Sequence, residues 1–180
     1  QAWELGWAIA GAHAGESGIA GVAADFTKCY DACRLALVER ALLRAGVPAA
    51  LVGPLRAAYA FGRRLRIGQA WGQPTWPVSG VPAGCPLAVS VLAILTFPWS
   101  VRARRAQQRV VGVTSAEGRR YVDDLLAWAV GSLPGLRAAA RSAWECTQAF
   151  AQALQLPLHP GKSLLFAHPA ELRHRLGEDL

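Results

Sequence analysis

RRYVDDLLAWAV, residues 119–130, is the stretch from which the rest of the chain is read. Two adjacent carboxylates, Asp123 and Asp124, interrupt an otherwise apolar run. Tyr121 and Val122 lead in, and Leu125 to Val130 lead out. Short apolar runs on either side of a polar pair predict two strands joined by a tight turn. Asp suits such a turn because its side chain bonds to nearby backbone. The pattern puts both carboxylates at a hairpin tip. Two like charges held that close repel, so the tip favours a bound cation or a raised pKa. A solvated Asp-Asp turn satisfies the same residues, so the motif needs support from elsewhere in the chain.

ADFTKCYD, residues 24–31, supplies it. Ile19 to Ala24 predicts a short buried strand with Asp25 at its C-terminal end. If that strand pairs with the hairpin, three carboxylates converge. Such a cluster is a usual way to hold two hard divalent ions, which prefer oxygen ligands. The ions then activate an attacking hydroxyl and stabilise a leaving phosphate oxygen in line. Asp31 is predicted as the N-cap of a helix over about 31–45; Asp25 lies too early for that role. A third stretch is SGVPAGCPLA, residues 79–88, in which Gly80, Pro82, Gly84 and Pro86 alternate with small or apolar residues. Glycine lets backbone approach a flat partner closely. By itself the stretch also reads as an ordinary loop before a helix.

Together and in this order, D-F-T-K-C-Y-D, S-G-V-P-A-G-C-P-L and Y-V-D-D resemble the first, second and third motifs of a reverse transcriptase palm. The wording is most similar to the enzymes of retrotransposons lacking long terminal repeats. The resemblance runs from about residue 15 to about 166. It implies an α+β polymerase palm, with a small antiparallel sheet carrying the acidic site and packed on helices on one face. Residues 1–180 would be one palm fragment, with fingers and thumb largely absent and supplied by the rest of a larger polyprotein. The implied activity is that of an RNA-directed DNA polymerase. It would extend a DNA or RNA primer on an RNA template with deoxynucleoside triphosphates, using two Mg²⁺ ions for which Mn²⁺ can stand in.

The same resemblance implies roles for single residues. Asp25, Asp123, Asp124 and the backbone carbonyl of Phe26 would ligate metal. Tyr30 stands where the family has an aromatic gate against a 2′-hydroxyl, the atom that distinguishes RNA from DNA precursors. Gly84 would face the nucleotide. Lys162, in Gly161-Lys162-Ser163, resembles the lysine of a fourth palm motif, which protonates the leaving pyrophosphate. One position departs from the pattern. The usual P-Q-G reads Pro82-Ala83-Gly84, and Ala83 cannot make the amide contact to an incoming nucleotide. Without fingers and thumb, the 180 residues alone are expected to bind nucleic acid weakly and to extend a primer poorly or not at all.

Outside the motifs, helices are predicted over about 2–14, 48–61, 87–106 and 133–156, with a turn and a short strand after Pro157. Residues 62–71, GRRLRIGQAW, predict a strand of a hairpin that returns near 75–79. Arg63, Arg64 and Arg66 either keep an exposed edge charged against aggregation or touch phosphates; a resemblance to template-side hairpins of the family favours contact. Arg119 and Arg120 either balance the paired carboxylates or meet primer phosphates.

The net charge of +7 suits a polyanionic partner. Lys28 and Lys162 are the only lysines, so the charge is mostly arginine, which makes bidentate phosphate contacts. Apolar residues make up 53% of the chain, which excludes a disordered polyanion binder and requires a packed core. Cys29, Cys33, Cys85 and Cys146 lack CxxC spacing, so reduced, buried thiols are expected rather than zinc. The apolar run Leu87 to Trp99 is too short to span a membrane and contains Pro98. No membrane partner and no signal peptide are expected, consistent with an intracellular protein. The absence of Met, even at position 1, reads as an excised piece of a longer protein. Two other functions are weighed against the reverse transcriptase. An RNA-copying polymerase palm usually carries aspartate where Tyr30 stands. A catalytically inert, polymerase-derived nucleic-acid-binding module would not need the acidic trio.

Overall fold

The computed structural model describes residues 17–177 together with Gly6 and Gly11. The helix expected over 2–14 lies outside the described residues, except that Gly6 and Gly11 are helical. In chain order the described elements are β1 (Gly18–Ala24), α1 (Cys29–Ala32), α2 (Leu35–Arg44), α3 (Ala49–Tyr59), β2 (Arg66–Ile67), β3 (Ala70–Trp71), α4 (Ala88–Gln108), β4 (Val113–Tyr121), β5 (Asp124–Gly131), α5 (Leu133–Leu154), β6 (Leu164–His168) and α6 (Ala170–Gly177). They form two compact units, one of Gln1–Thr27 with Thr96–Leu180 and one of Lys28–Leu95.

The first unit is built on a four-stranded sheet of order β4-β5-β1-β6, antiparallel throughout. The central strand β1 reads GIAGVAA, small enough for both neighbours and a helix to close on it. Gly21 shows how tightly. A Cβ there would collide with the carbonyl oxygen of Ala127 and stand 2.7 Å from the Phe166 ring. Side chains alternate across a sheet. Ala20 of β1, Ala116 of β4, Ala129 of β5 and Ala167 of β6 therefore share one face, which packs against Leu136, Ala139 and Ala140 of α5 and Leu172 and Leu176 of α6. Alanine on both sides of this layer lets the helix lie close to the sheet. The opposite face carries Ile19 and Trp128, with Leu126, Val130 and Phe166 against them. In α4, the buried Trp99 indole N–H donates to the Thr147 hydroxyl at 3.0 Å, tying the helix to α5. A buried indole needs such a partner.

The second unit holds α1, α2, α3 and the β2–β3 hairpin. Here the structure corrects two expectations. The helix predicted over 31–45 is broken into α1 and α2, and Asp31 lies in the first turn of α1 instead of capping α2. Arg34 pairs with Ser79 as an isolated bridge, and the Leu35 N–H donates to the Val78 carbonyl at 3.3 Å. These bonds to a distant segment draw Cys33 and Arg34 into extended backbone, overriding local helix propensity. The hairpin also returns earlier than expected, through Gly68–Gln69, with Arg66 opposite Trp71 and Ile67 opposite Ala70. The expected return segment contributes an outer bridge, Arg63 to Thr75.

The remaining predicted elements appear as α3, α4, α5 and β6. Among the described residues no helix is long and apolar enough to cross a membrane. None of the four cysteines is in a disulfide; Cys29 and Cys33 are buried, Cys85 and Cys146 half-buried.

Candidate active site

Strand register brings the carboxylates together. β1 pairs with β5 as far as Ala24↔Leu125, so one further step sets Asp25 opposite Asp124. β1 pairs with β6 as far as Ala23↔Leu164, and pairing resumes at Phe26↔Leu158, so residues 159–163 fold back beside Asp25 with Lys162 in the turn. By alternation Asp25 and Asp124 occupy the face opposite α5. The Lys162 ammonium indeed lies 3.2 Å from Asp25 Oδ2.

The hairpin tip differs by one residue from the sequence reading. Tyr121 pairs with Asp124, so Val122 and Asp123 form the turn and Asp124 is the first residue of β5. Asp123 alone is at the tip. Val122 takes a φ of 58°, a left-handed conformation costly for a β-branched residue. Such strain is found where surrounding structure over-determines the backbone, often at functional sites.

The backbone at Asp25 is clamped by the segment before β6. The Asp25 N–H donates to the Ser163 hydroxyl at 3.3 Å. Its carbonyl accepts the His159 N–H at 2.8 Å. The Thr27 N–H donates to the Pro157 carbonyl at 2.8 Å, and Phe26 bridges to Leu158. These bonds use Asp25 and Thr27 and leave the Phe26 carbonyl out of the ladder, while the Phe26 ring is buried. The His159 carbonyl accepts the N–H groups of Lys162 and Ser163 at 3.2 and 3.0 Å, and its Nδ1 accepts that of Gly161 at 3.1 Å. His159 and Ser163 thus hold Lys162 beside Asp25. Sequence reasoning passed over both; the serine's position next to Lys162 was the one available signal.

Electrostatics agree with the geometry. The Asp124 carboxyl is pushed above its ordinary pKa by burial first, then by the charges of Asp123 and Asp25, with Lys162 pulling the other way. Asp124 is within Coulomb reach of both Asp123 and Asp25. Among the described residues, however, no three His, Cys, Asp or Glu side chains are gathered so as to hold a metal ion. The donors fit a hard divalent cation in kind, being oxygens only. The crowding felt at Asp124 is the charge that such a cation would neutralise.

This crowding has a cost to the fold. A carboxyl whose folded pKa is raised destabilises the folded state when ionised. The penalty is complete above the raised value and vanishes as pH falls into the ordinary carboxylate range, where folded and unfolded chains are both protonated. Asp124→Asn is therefore expected to raise Tm at about pH 7 by about 1–2 °C, a modest gain because the site is solvent-screened. Thermal denaturation in EDTA, repeated towards acid, should show the gain shrinking. A gain that grows in acid would contradict this origin.

Arg119 and Arg120 do not act from one surface, because adjacent strand residues face opposite ways. Arg119 pairs with Glu117 at 3.6 Å. Arg120 lies against α4 with its guanidinium carbon 5.1 Å from the Phe97 ring centroid. Burial lowers its pKa, and its Nε is buried with no hydrogen-bond partner among the described residues.

In the other unit, Tyr30 is half-buried in α1 and its carbonyl accepts the Val81 N–H at 2.7 Å. The Cys33 carbonyl accepts the Gly80 N–H at 2.8 Å. The first and second motif stretches are thus joined by backbone. Gly84 has a φ of 86°, and nothing stands within 4 Å of where a Cβ would be, so glycine answers to conformation there and to open space beside the chain. Beside it the Cys85 thiol lies 3.4 Å from the Tyr59 hydroxyl, whose hydrogen bond lowers the thiol pKa. Arg63, Arg64 and Arg66 are exposed on the hairpin.

No family model and no curated protein matches this chain. Among solved structures it is similar to apo telomerase from Candida tropicalis truncated from the C-terminal domain, with a TM-score of 0.59 and 10% identity. The match covers 86% of this chain and 31% of that one, so the chain spans about a third of its neighbour's length. At that identity the likeness is one of fold. What the two share is an architecture, here the antiparallel sheet packed on helices.

Proposed function

We propose that this chain is the nucleotidyl-transfer palm of an RNA-directed DNA polymerase. What supports the reading most is the β1–β5 register that brings Asp25 beside Asp124, with the Lys162 ammonium 3.2 Å from Asp25 Oδ2. Asp25, Asp123, Asp124 and the Phe26 carbonyl would hold two Mg²⁺ ions, or Mn²⁺ in their place. When bound, the ions supply a lowered pKa at the primer 3′-hydroxyl and neutralise triphosphate charge. Ser163 and His159 keep the Asp25 backbone in position for this. Lys162 donates a proton to the leaving pyrophosphate. Its ion pair with Asp25 is exposed on the lysine side and hence weak, so the ammonium can exchange from carboxylate to phosphate.

Tyr30 would act as the gate against ribonucleotides, and Gly84 would face the nucleotide. Arg63, Arg64, Arg66 and Arg119 would meet the phosphates of an RNA template and its primer. The wording of the first two motifs favours an element lacking long terminal repeats as the source. Tyr30→Ala is expected to raise ribonucleotide use relative to deoxynucleotide use, without loss of the latter. Equal discrimination by wild type and variant would reduce Tyr30 to a packing residue.

The deciding experiment is primer extension on a defined RNA template with deoxynucleotides and Mg²⁺, comparing the chain with Asp123→Asn. Mn²⁺ binding followed by electron paramagnetic resonance is the second readout. Extension above background that disappears in the variant supports the reading. One observation favours a second reading, an inert nucleic-acid-binding module: no three-ligand group is gathered among the described residues. Mn²⁺ binding that is absent, or indifferent to Asp25 and Asp123, would select it.

A further inference from the structure

The hairpin of the Lys28–Leu95 unit carries arginines that the proposed function gives to nucleic-acid phosphates, and the inference drawn here rests on that assignment and extends it to the tryptophans beside them. Residues directly opposite each other on paired strands share a face. Arg66 stands opposite Trp71, and its guanidinium carbon lies 5.3 Å from that ring's centroid. Farther out, Arg63 pairs with Thr75, which sets Gly62 opposite Trp76. A Cβ on Gly62 would stand 3.0 Å from Trp76 Nε1, so the indole lies over the glycine. Arg64 falls between Gly62 and Arg66 with the same parity, hence on the same face. One face of the hairpin therefore presents Trp76, Arg64 and Trp71 in turn, with Arg66 against the last.

Both indoles are exposed, Trp71 at 61% and Trp76 at 68%. Large exposed apolar groups side by side mark an interaction surface. Arg66 is already engaged: its Nε donates to the Gly68 carbonyl at 2.8 Å and a terminal NH₂ to Gln69 Oε1 at 3.2 Å. It holds the Trp71 ring in place. Arg63 is anchored to the Tyr59 carbonyl at 3.2 Å. Arg64 is left as the exposed cation between the two rings.

Flat π faces separated by a cation complement a ligand in which flat bases alternate with negative charges. Single-stranded nucleic acid is that ligand. A duplex hides its base faces, and an apolar protein surface would leave the arginine charge unmatched. We propose that this hairpin face binds single-stranded nucleic acid, stacking bases on Trp71 and Trp76 and placing Arg64 on the phosphodiester between them. The rings stand opposite Arg66 and Gly62, which are four strand residues apart, about 13 Å. That is the rise of about four stacked bases at roughly 3.4 Å each. Every base has a π face, so the site is tolerant of sequence.

The inference needs neither metal nor the carboxylates, and its test excludes both. Fluorescence anisotropy of labelled single-stranded RNA and DNA is measured with the whole chain in EDTA. Trp71→Ala and Trp76→Ala are each expected to weaken binding about tenfold, and Trp71→Tyr to retain most of it. Arg64→Ala should weaken all sequences alike and lower the salt slope by about one. A duplex of the same sequence should compete poorly. The indoles are exposed, so circular dichroism should show the variants folded. Absence of single-strand binding in EDTA, unchanged affinity in the folded double tryptophan variant, or equal competition by duplex would overturn the proposal. So would a protein partner or self-association lost in these variants while nucleic-acid affinity stays the same. Binding is read in EDTA and extension only with Mg²⁺, so this proposal and the catalytic one fail separately.

Discussion

Gly21→Val is expected to leave the chain unfolded or melting far below wild type. Gly21 sits in the middle of β1, the strand with neighbours on both sides. Its side-chain position is filled by the Ala127 carbonyl, the Phe166 ring and, at 2.8 Å, the Trp128 Cα. Two of these three are backbone, and backbone in a paired central strand cannot step aside without breaking the ladder. Overpacking that only moves side chains costs about 1–3 kcal/mol. A clash with backbone on a central strand should exceed about 4 kcal/mol, a large part of the stability of a domain this size. Gly53 in α3 is the control, because nothing stands within 4 Å of its Cβ position. Gly53→Ala should stabilise by up to about 1 kcal/mol, since alanine is the better helix former. Thermal and urea denaturation followed by circular dichroism decide the matter. A Gly21→Val chain melting within a few degrees of wild type would show that β1 is not packed as described.

Asp25→Asn and Asp123→Asn should each lower metal-dependent primer extension by about 10²-fold or more, corresponding to about 2.7 kcal/mol or more of transition-state stabilisation. Asparagine keeps the shape of the side chain but removes its charge, and neutral amide oxygen is a poor partner for a hard divalent ion. For Asp25 the backbone clamp to Ser163 and His159 does not depend on the carboxylate and should survive the change. The variant should therefore fold like wild type and lose Mn²⁺ affinity, which separates a chemical effect from a structural one. Asp25→Asn also removes the charge facing Lys162, so the lysine should become more solvent-accessible to amine-reactive reagents. Wild-type extension by either folded variant would remove these carboxylates from the reaction.

Sequence alone determined most of the elements. Alternating and continuous apolar runs around Asp25 and around Asp123–Asp124 announced strands. The glycine and proline pattern at 79–88 announced a loop before a long helix, and apolar periodicity announced α3, α4 and α5. Each of these signals lies within a few residues of what it describes, so local propensity and burial suffice to read it. What sequence could not determine is register, because register is set by hydrogen bonds between strands far apart in the chain. Pairing of Tyr121 with Asp124 moved the turn to Val122–Asp123 and left one carboxylate, not two, at the tip. Pairing of Arg34 with Ser79 broke a helix that periodicity favoured and removed Asp31 from the cap. The folding-back of residues 157–163 against the end of β1 decided that Lys162 rather than an arginine stands at Asp25, and it brought in His159 and Ser163. On the hairpin, the sequence named the arginines, but only the Arg63–Thr75 and Arg66–Trp71 pairings put the tryptophans on their face. A shift of one residue inverts every side chain of a strand, so the composition of a face becomes known only when the partner strand is in place.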